Sequence, residues 1–252
     1  LREEEGQLGE LLAQDHSLRR QVIREIEADA KRYGDERRTL IQASDRASVE
    51  LRLPEEAITV VVSEKGWVRA RQGHGHDPAQ FSFKAGDSLD GVYAVKSSDQ
   101  LYVLGTTGRV YALPVNVLPS ARGDGAPITT LIELEPASRV AFAFACHAGA
   151  RVVFTCRSGL GLQCRASDLQ TRQRAGKQFL QLDEGDEVLR PVLDPLADQE
   201  RLLCLSAQGR ALSITLAEVR TLRQGGRGTS LMDGDASDPL AMVACYQPQG
   251  LV

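Results

Sequence analysis

LYVLGTTGRVYAL, residues 101–113, has the composition of a tight β-hairpin. Two apolar runs of strand-forming residues flank a short polar turn that ends in Gly108. A glycine at this place supplies the positive φ angle that a tight hairpin turn requires. The stretch therefore predicts two short antiparallel strands joined by a turn of two or three residues.

The same pattern occurs four times along the chain. The other copies are ITVVVSEKGWVRA (58–70), VVFTCRSGLGLQC (152–164) and LLCLSAQGRALSI (202–214). Successive turn glycines are separated by 42, 51 and 50 residues, and they are Gly66, Gly108, Gly159 and Gly209. Repeats of this length, built of short strands, indicate propeller-like blades of about four strands each. Further apolar runs predict the remaining strands: VYAV (92–95), VAFAFA (140–145), VLRPVL (188–193) and LAMVACY (240–246).

A basic loop that contains glycine follows each of the last three hairpins. Gly125, Gly176 and Gly226 each lie 17 residues after a turn glycine. They fall in SARGDGAP (120–127), RQRAGKQF (172–179) and RQGGRGTS (223–230), and RQGHGHD (71–77) is the predicted counterpart in the first repeat. If the blades repeat by rotation, the cations of these loops lie along one rim. There they can contact phosphate groups, and the glycines let backbone N–H groups approach the same anions.

The first part of the chain has a different pattern. Apolar residues recur at helical spacings over residues 1 to about 33, and they are Leu8, Leu11, Leu12, Leu18, Val22, Ile23 and Ile26. Gly34 comes next as a helix-ending glycine, so residues 1–33 predict one amphipathic helix of the kind found at the end of a coiled coil. Residues 34–57 predict a polar linker, and residues 58–252 predict the β domain.

Composition excludes several classes of protein. The 252 residues are 42% hydrophobic and 25% charged, as in a globular protein, and no run of 18 apolar residues suggests a membrane span. Five cysteines without a CxxC pair predict free thiols in a reducing cytosol. The net charge is −4, but residues 1–57 hold 10 basic and 14 acidic residues, which leaves 20 of each sign in residues 58–252. The charge balance of the β domain therefore does not exclude a basic face.

No motif of an enzyme is present. The sequence has no GxxxxGK[ST] loop for ATP and no GxSxG or HExxH arrangement, so we predict no catalytic residue. His74 and His76 lack further ligands at a matching spacing, so we predict no metal site.

One stretch and several loops resemble a known family. RYGDERRT (32–39) resembles the sequence that ends the coiled coil of gyrase and topoisomerase IV A subunits, and residues 40–252 resemble their C-terminal DNA-binding domain. SARGDGAP and RQRAGK are similar to topoisomerase IV, and RQGHGHD lacks the QRRGGKG box of gyrase. A similar RQGGRG occurs at 223–228, but in the fourth repeat.

The resemblance implies a mainly β fold, the β-pinwheel. This is a propeller-like disc, here of about four to five blades, open or incomplete, whose neighbouring blades exchange strands. It is preceded by a helix of the coiled coil. The implied function is non-catalytic binding and bending of duplex DNA for ATP-dependent strand passage, decatenation and supercoil relaxation in chromosome segregation.

The resemblance also implies partners and location. The catalytic tyrosine, ATP and Mg belong to other parts of the full enzyme, and no cofactor is expected in this chain. The partners are duplex DNA and, in the full enzyme, a second A subunit with two ATPase B subunits; the piece itself is expected to be monomeric. The implied location is cytoplasmic and nucleoid-associated, with peripheral association at the inner membrane as an alternative.

The resemblance and the basic loops together define a candidate DNA-binding set. Its members are Arg69, Arg71, His74, His76, Arg109, Arg122, Arg172, Arg174, Lys177, Arg210, Arg223 and Arg227. The acidic turn DEGDE (183–187) is expected to lie away from them, because its charge would repel DNA. The alternatives are a gyrase A wrapping domain, a protein-binding propeller, and loops that are ordinary solvated turns.

Overall fold

The computed structural model describes residues 1–35, 55–120, 123–193, 201–233 and 237–246, without the side chains of Glu10 and Leu11. The chain forms two compact units, Leu1–Leu51 and Arg52–Val252. The predicted linker, residues 34–57, lies mostly outside the described residues.

The described part of the first unit, residues 1–35, contains two helices, α1 (Arg2–Ala13) and α2 (Asp15–Tyr33). The prediction of one continuous helix was wrong, because Gln14 between them is extended, with φ −129° and ψ 111°. Residues 13–17 carry no large apolar side chain, and Asp15 opens the second helix, where its charge is favourable. The apolar side chains of both helices are exposed: Leu8, Leu12, Leu18, Val22, Ile23 and Ile26.

The second unit is built of short strands. They are β1 (Ala57–Ser63), β2 (Trp67–Gln72), β3 (Leu89–Lys96), β4 (Gln100–Gly105), β5 (Arg109–Pro114), β6 (Ala126–Pro127), β7 (Val140–Cys146), β8 (Arg151–Thr155), β9 (Leu160–Arg165), β10 (Lys177–Gln178), β11 (Val192–Leu193), β12 (Arg201–Ser206), β13 (Ala211–Thr215), β14 (Thr229–Ser230) and β15 (Leu240–Tyr246). A short helix α3 (Ala166–Leu169) follows β9, and single 3-10 turns occupy Pro78–Gln80, Val115–Val117, Ile128–Thr130 and Leu216–Glu218.

The strands form four sheets, which we call blades 1 to 4. Their strand orders are β3-β1-β2-β6, β10-β5-β4-β7, β11-β8-β9-β14 and β13-β12-β15. The predicted hairpins are confirmed as β1–β2, β4–β5, β8–β9 and β12–β13, and all four turn glycines have φ between 76° and 87°. The prediction of a mainly β pinwheel is therefore confirmed, and the described residues form four of the four to five blades that were expected.

Neighbouring blades exchange strands. The two residues of β6 come from the second repeat but pair with β2 of blade 1, where Pro127 faces Trp67 and Ala126 faces Val68. In the same way β10 joins blade 2 and β14 joins blade 3, each from the following repeat. Among the described residues, β13 of blade 4 has no such partner, and Leu212 on it is 41% exposed.

The core lies between successive blades rather than within each one. One cluster joins blades 1 and 2 around Val60, Leu101 and Ile128. A second joins blades 2 and 3 around Tyr102 and Phe154. A third joins blades 3 and 4. Burying these side chains excludes water from each interface, which makes each blade depend on its neighbours.

One strand prediction was partly wrong. VLRPVL (188–193) contributes only β11 and a single bridge from Val188 to Cys156. Pro191 has no N–H to give to a ladder, which interrupts the strand that the apolar pattern suggested.

None of the described helices combines the length and the apolar composition that crossing a membrane requires.

The turn glycines give a direct test of strand exchange. Gly108 and Gly209 have φ of 81° and 87°, so alanine at either costs about 1–2 kcal/mol of backbone strain. A Cβ at Gly108 would also lie 2.4 Å from the carbonyl oxygen of Leu180, which follows the exchanged strand β10, whereas Gly209 has nothing within 4 Å. Gly108→Ala should therefore lower the free energy of unfolding by roughly 1–3 kcal/mol more than Gly209→Ala does. The thermal midpoint of Gly108→Ala should be correspondingly lower. Equal losses in thermal unfolding would contradict the exchanged position of β10.

Candidate nucleic-acid interface

Three basic loops each lie on the blade formed by the repeat before their own. We call residues 120–125, 171–176 and 221–228 loops 1, 2 and 3; residues 121 and 122, and with them Arg122, lie outside the described residues. Each loop leads into an exchanged strand, so loop 1 lies on blade 1, loop 2 on blade 2 and loop 3 on blade 3. The loops thus occupy corresponding places on consecutive blades.

A glycine at the end of each loop packs on the blade beneath. A Cβ at Gly125 would lie 2.2 Å from the Val68 carbonyl oxygen, and one at Gly176 would lie 2.6 Å from that of Val110. The corresponding residue of loop 3 is Gly228, 2.5 Å from the Gly161 oxygen by the same measure. Loop 3 is therefore two residues longer than the others, and the sequence alignment on Gly226 was wrong by two positions.

The carbonyl two residues before each of these glycines is held by a donor. Gly123 O accepts from Arg69 Nη1 at 3.0 Å. Arg174 O accepts from the Glu133 N–H at 3.0 Å, and Gly226 O from the Gln181 N–H at 3.1 Å. One backbone carbonyl near the end of each loop is therefore held in place by the rest of the domain.

Four of the predicted arginines are exposed and form no ion pair with a described acidic residue. They are Arg71, Arg172, Arg174 and Arg223. Arg172 and Arg174 line a cleft of about 580 Å³ on blade 2, and Arg71 lines one of about 800 Å³ on blade 1, beside Ser120 of loop 1. Each of the three loops therefore has an available guanidinium on it or beside it.

Three other predicted arginines are paired with acids of this chain. Arg227 Nη2 lies 2.6 Å from Asp183 Oδ2, and both side chains are at least half exposed. Arg109 Nε lies 2.8 Å from Glu135 Oε1, and Arg210 pairs with Asp238. The acidic turn was expected away from the basic residues, but Asp183 is held beside loop 3 because Gln181 is hydrogen-bonded to Gly226.

Four predicted residues bind other parts of the domain instead: Arg69, Lys177, His74 and His76. Arg69 is 7% exposed; its guanidinium donates to the carbonyls of Gly123 and Ser82 and packs on Phe81 and Phe83. Lys177 Nζ donates to the carbonyls of Asp168 and Gln170, and burial lowers its pKa against the opposing effect of Asp168.

The two histidines bind backbone carbonyls of blade 1. His74 Nε2 donates to the Val95 carbonyl at 2.8 Å, and His76 Nε2 to that of Gln72 at 2.8 Å. Val95 belongs to β3, at the opposite edge of blade 1 from β6. The match of segment 71–77 to the three loops was wrong, because this segment binds β1 of its own blade: the Gly73 N–H donates to the Ala57 carbonyl, and the Gly73 carbonyl accepts from the Thr59 hydroxyl. Among the described residues, no earlier blade lies beneath it.

A repeated acidic residue was missed by the sequence analysis. Asp87, Glu135, Asp186 and Asp238 each bind the tip of their own blade's hairpin. Asp186, for example, accepts from the N–H and the hydroxyl of Ser158, directly before the turn glycine. A carboxylate 27 residues after both Gly108 and Gly159 was the available signal. Arg220 was also missed; it is exposed directly before loop 3, and its carbonyl accepts from the Gln163 N–H.

This arrangement defines a strand-exchanging β-propeller that carries a row of basic loops, and comparison with known proteins agrees. A family model described as the DNA gyrase C-terminal domain, beta-propeller, matches residues 152–192 and 200–238. The solved structure of the E. coli ParC C-terminal domain superposes with a TM-score of 0.69 at 31% identity, covering 76% of this chain and 80% of that one. The DNA gyrase A C-terminal domain shares the fold, with a TM-score of 0.53 at 20% identity over 75% of this chain and 65% of that one.

Full-length relatives extend the match. The DNA topoisomerase 4 A subunit of Neisseria gonorrhoeae is 30% identical over 97% of this chain, and that of Escherichia coli K12 is 33% identical over 99%. The chain spans about a third of their length, 32% and 34% respectively. It belongs to the family of C-terminal domains of topoisomerase IV A subunits, as the sequence resemblance suggested.

The carboxylate of Asp238, which binds the hairpin tip of blade 4, should make stability depend on pH. Burial alone would raise the pKa of Asp238, but hydrogen bonds from Gln208 and Arg210 outweigh it and lower the pKa below its ordinary value. A lowered pKa in the folded state gives stability that is present above about pH 4 and is lost as the pH falls further. Asp238→Asn should therefore reduce stability at pH 7 and flatten its loss between about pH 5 and 3. Thermal unfolding against pH checks this, with the exposed Glu64→Gln as control; an unchanged slope in Asp238→Asn would contradict it.

Proposed function

We propose that the second unit binds duplex DNA through phosphate contacts, without reading its sequence. The observation that carries the proposal is the set of three basic loops, anchored at corresponding places on consecutive blades and each served by exposed arginine. A row of cations displaces the counterions of the DNA backbone, which yields affinity that depends on salt and not on base sequence.

The structure changes the set of residues that we propose. Arg71, Arg172, Arg174, Arg220, Arg223 and Arg227 are exposed near the loops and form the proposed contact set. Arg122 stays a prediction. Arg69, Lys177, His74 and His76 support the loops or blade 1, and Arg109 and Arg210 bind the hairpin-tip acids.

Contacts on three blades favour bending. A duplex that touches loops 1, 2 and 3 must follow the curvature of the blades, and bending costs several kcal/mol that phosphate contacts have to offset. We infer that the domain positions curved DNA for an ATP-dependent type II topoisomerase, in strand passage, decatenation and supercoil relaxation. In that enzyme a second A subunit, the ATPase B subunits, the catalytic tyrosine, ATP and Mg would lie outside this chain. A cytoplasmic, nucleoid-associated location follows from the same proposal.

Loop 2 offers the sharpest test. Lys177 is unsuitable for it, because removing its contacts with two carbonyls would disturb the loop, so the test uses Arg172→Gln with Arg174→Gln. The pair should lower the slope of log affinity against log salt by about 2 and weaken binding roughly tenfold at about 0.1 M salt, equally for unrelated sequences.

The control for this test is Arg139→Gln, which removes an exposed arginine from the segment before β7, outside the three loops. Fluorescence anisotropy with a duplex of about 40 base pairs measures both variants. Unchanged affinity in the double variant would contradict the placement of DNA on loop 2. Absence of duplex binding by the unmodified protein, even at low salt, would favour a protein-binding propeller.

Loop 3 gives an independent prediction, because Asp183 competes with phosphate for Arg227. Asp183→Asn should strengthen duplex binding by up to about fivefold, the range expected for an exposed ion pair. The gain should vanish when Arg227→Gln is added, since no guanidinium is then released. Glu184→Gln, in the same acidic turn, serves as control; an equal gain in this variant would assign the effect to general repulsion instead.

A further inference from the structure

An ion pair joins two blades that are not neighbours. Asp90 lies in β3 of blade 1, and Arg190 precedes β11 of blade 3, 100 residues away. The guanidinium donates from Nη1 to Oδ2 at 3.4 Å and from Nη2 to Oδ1, so both carboxylate oxygens are bound. Such two-pronged pairing fixes the relative direction of the two groups as well as their separation.

Blade 2 completes the same contact. The guanidinium carbon of Arg190 lies 5.3 Å from the ring centre of Phe142, which belongs to β7, so the cation packs on an aromatic ring. The hydroxyl of Tyr93 in β3 donates to the Ala143 carbonyl at 3.1 Å. The Tyr93 ring lies over Gly91, where a Cβ would come within 2.6 Å of the hydroxyl oxygen. Residues of three blades therefore meet at the edge opposite the exchanged strands.

Among the described residues, the apolar clusters and the exchanged strands connect adjacent blades only. Each of the three apolar clusters is centred on one interface between neighbouring blades, and each exchanged strand pairs with the blade next to its own. Among the described residues, no strand ladder joins blade 4 to blade 1. Small rotations at two successive interfaces would therefore add up between blades 1 and 3, unless a contact spans both.

We propose that Asp90 and Arg190 form a clasp that holds blades 1 and 3 at a fixed angle and so sets the curvature of the loop row. Both are positioning residues, since they act through the blades that carry loops 1 and 3. The consequence for DNA rests on the proposed function, whereas the consequence for the blades does not. Asp90 is 18% and Arg190 53% exposed, so solvent screens the pair and its loss loosens the blades without unfolding them.

The angle between the blades can be measured without DNA. Two fluorescent labels at Gln72→Cys on blade 1 and Arg165→Cys on blade 3, in a Cys245→Ser background, report the distance by energy transfer. The other four cysteines are buried. Asp90→Asn should lengthen and broaden the distance distribution, and Asp90→Arg with Arg190→Asp should restore it. The matched control is Glu187→Gln, which breaks an exposed ion pair with Arg157 inside blade 3 and should leave the distance unchanged.

The consequence for DNA is measured separately with an end-labelled duplex of about 40 base pairs. Asp90→Asn should lower the bent fraction about two- to fivefold while a duplex of about 12 base pairs, long enough for one loop, binds as before.

An unchanged label distance in Asp90→Asn would overturn the clasp. If the distance shifts but the unmodified protein binds no duplex, the clasp stands and the proposed function fails. If Asp90→Asn folds poorly, Arg190→Lys replaces it, because lysine keeps the charge but loses the two-pronged geometry. The label distance in Arg190→Lys should then lie between those of the unmodified protein and a variant without the ion pair. A label distance equal to that of the unmodified protein would overturn the clasp.

Discussion

The arrangement of the blades depends on two-residue strands that the second, third and fourth repeats each add to the blade before their own. Such a short strand forms few hydrogen bonds, so its position is fixed by the close approach of a glycine to a carbonyl of the receiving blade, as at Gly125 and Gly176. A side chain at these glycines would collide with the backbone beneath. Because each basic loop leads directly into the exchanged strand, the same approach fixes where the loop lies. The fold and the candidate interface therefore have one physical cause.

Net charge says little about what this domain can bind. Acids and bases balance over residues 58–252, yet some of the acidic side chains are engaged by the fold itself. Asp87, Glu135, Asp186 and Asp238 bind hairpin tips, and two of them also engage arginine. Arg71, Arg172, Arg174 and Arg223, which are exposed and form no ion pair with a described acidic residue, lie on or beside the loops. The distribution of charge, and not its sum, therefore supports an interface for a polyanion.

The sequence predicted the hairpins well, because a turn glycine between two apolar runs is a local signal. The family resemblance implied that blades exchange strands, but no pattern could locate those strands, since two residues show no periodicity and their partners lie in another repeat. The same limit explains the error at Gly226: loop 3 is longer by two residues, and only the approach of Gly228 to Gly161 reveals it. Arg69 was grouped with the exposed cations because burial by Phe81 and Phe83 depends on how the chain folds back. The regular spacing of the glycines located the loops. It gave no information about which basic side chains form ion pairs or hydrogen bonds within the domain.

Hydrogen exchange with and without a duplex of about 40 base pairs tests the central claim most directly. If the basic loops form one interface on consecutive blades, the duplex protects segments 120–126, 171–177 and 221–229 together. The hairpin tips at residues 64–66, 106–108 and 157–159 should exchange as before. Protection of the hairpin tips with unprotected loops would contradict the account, because DNA would then lie on a part of the blades that the exchanged strands do not organise.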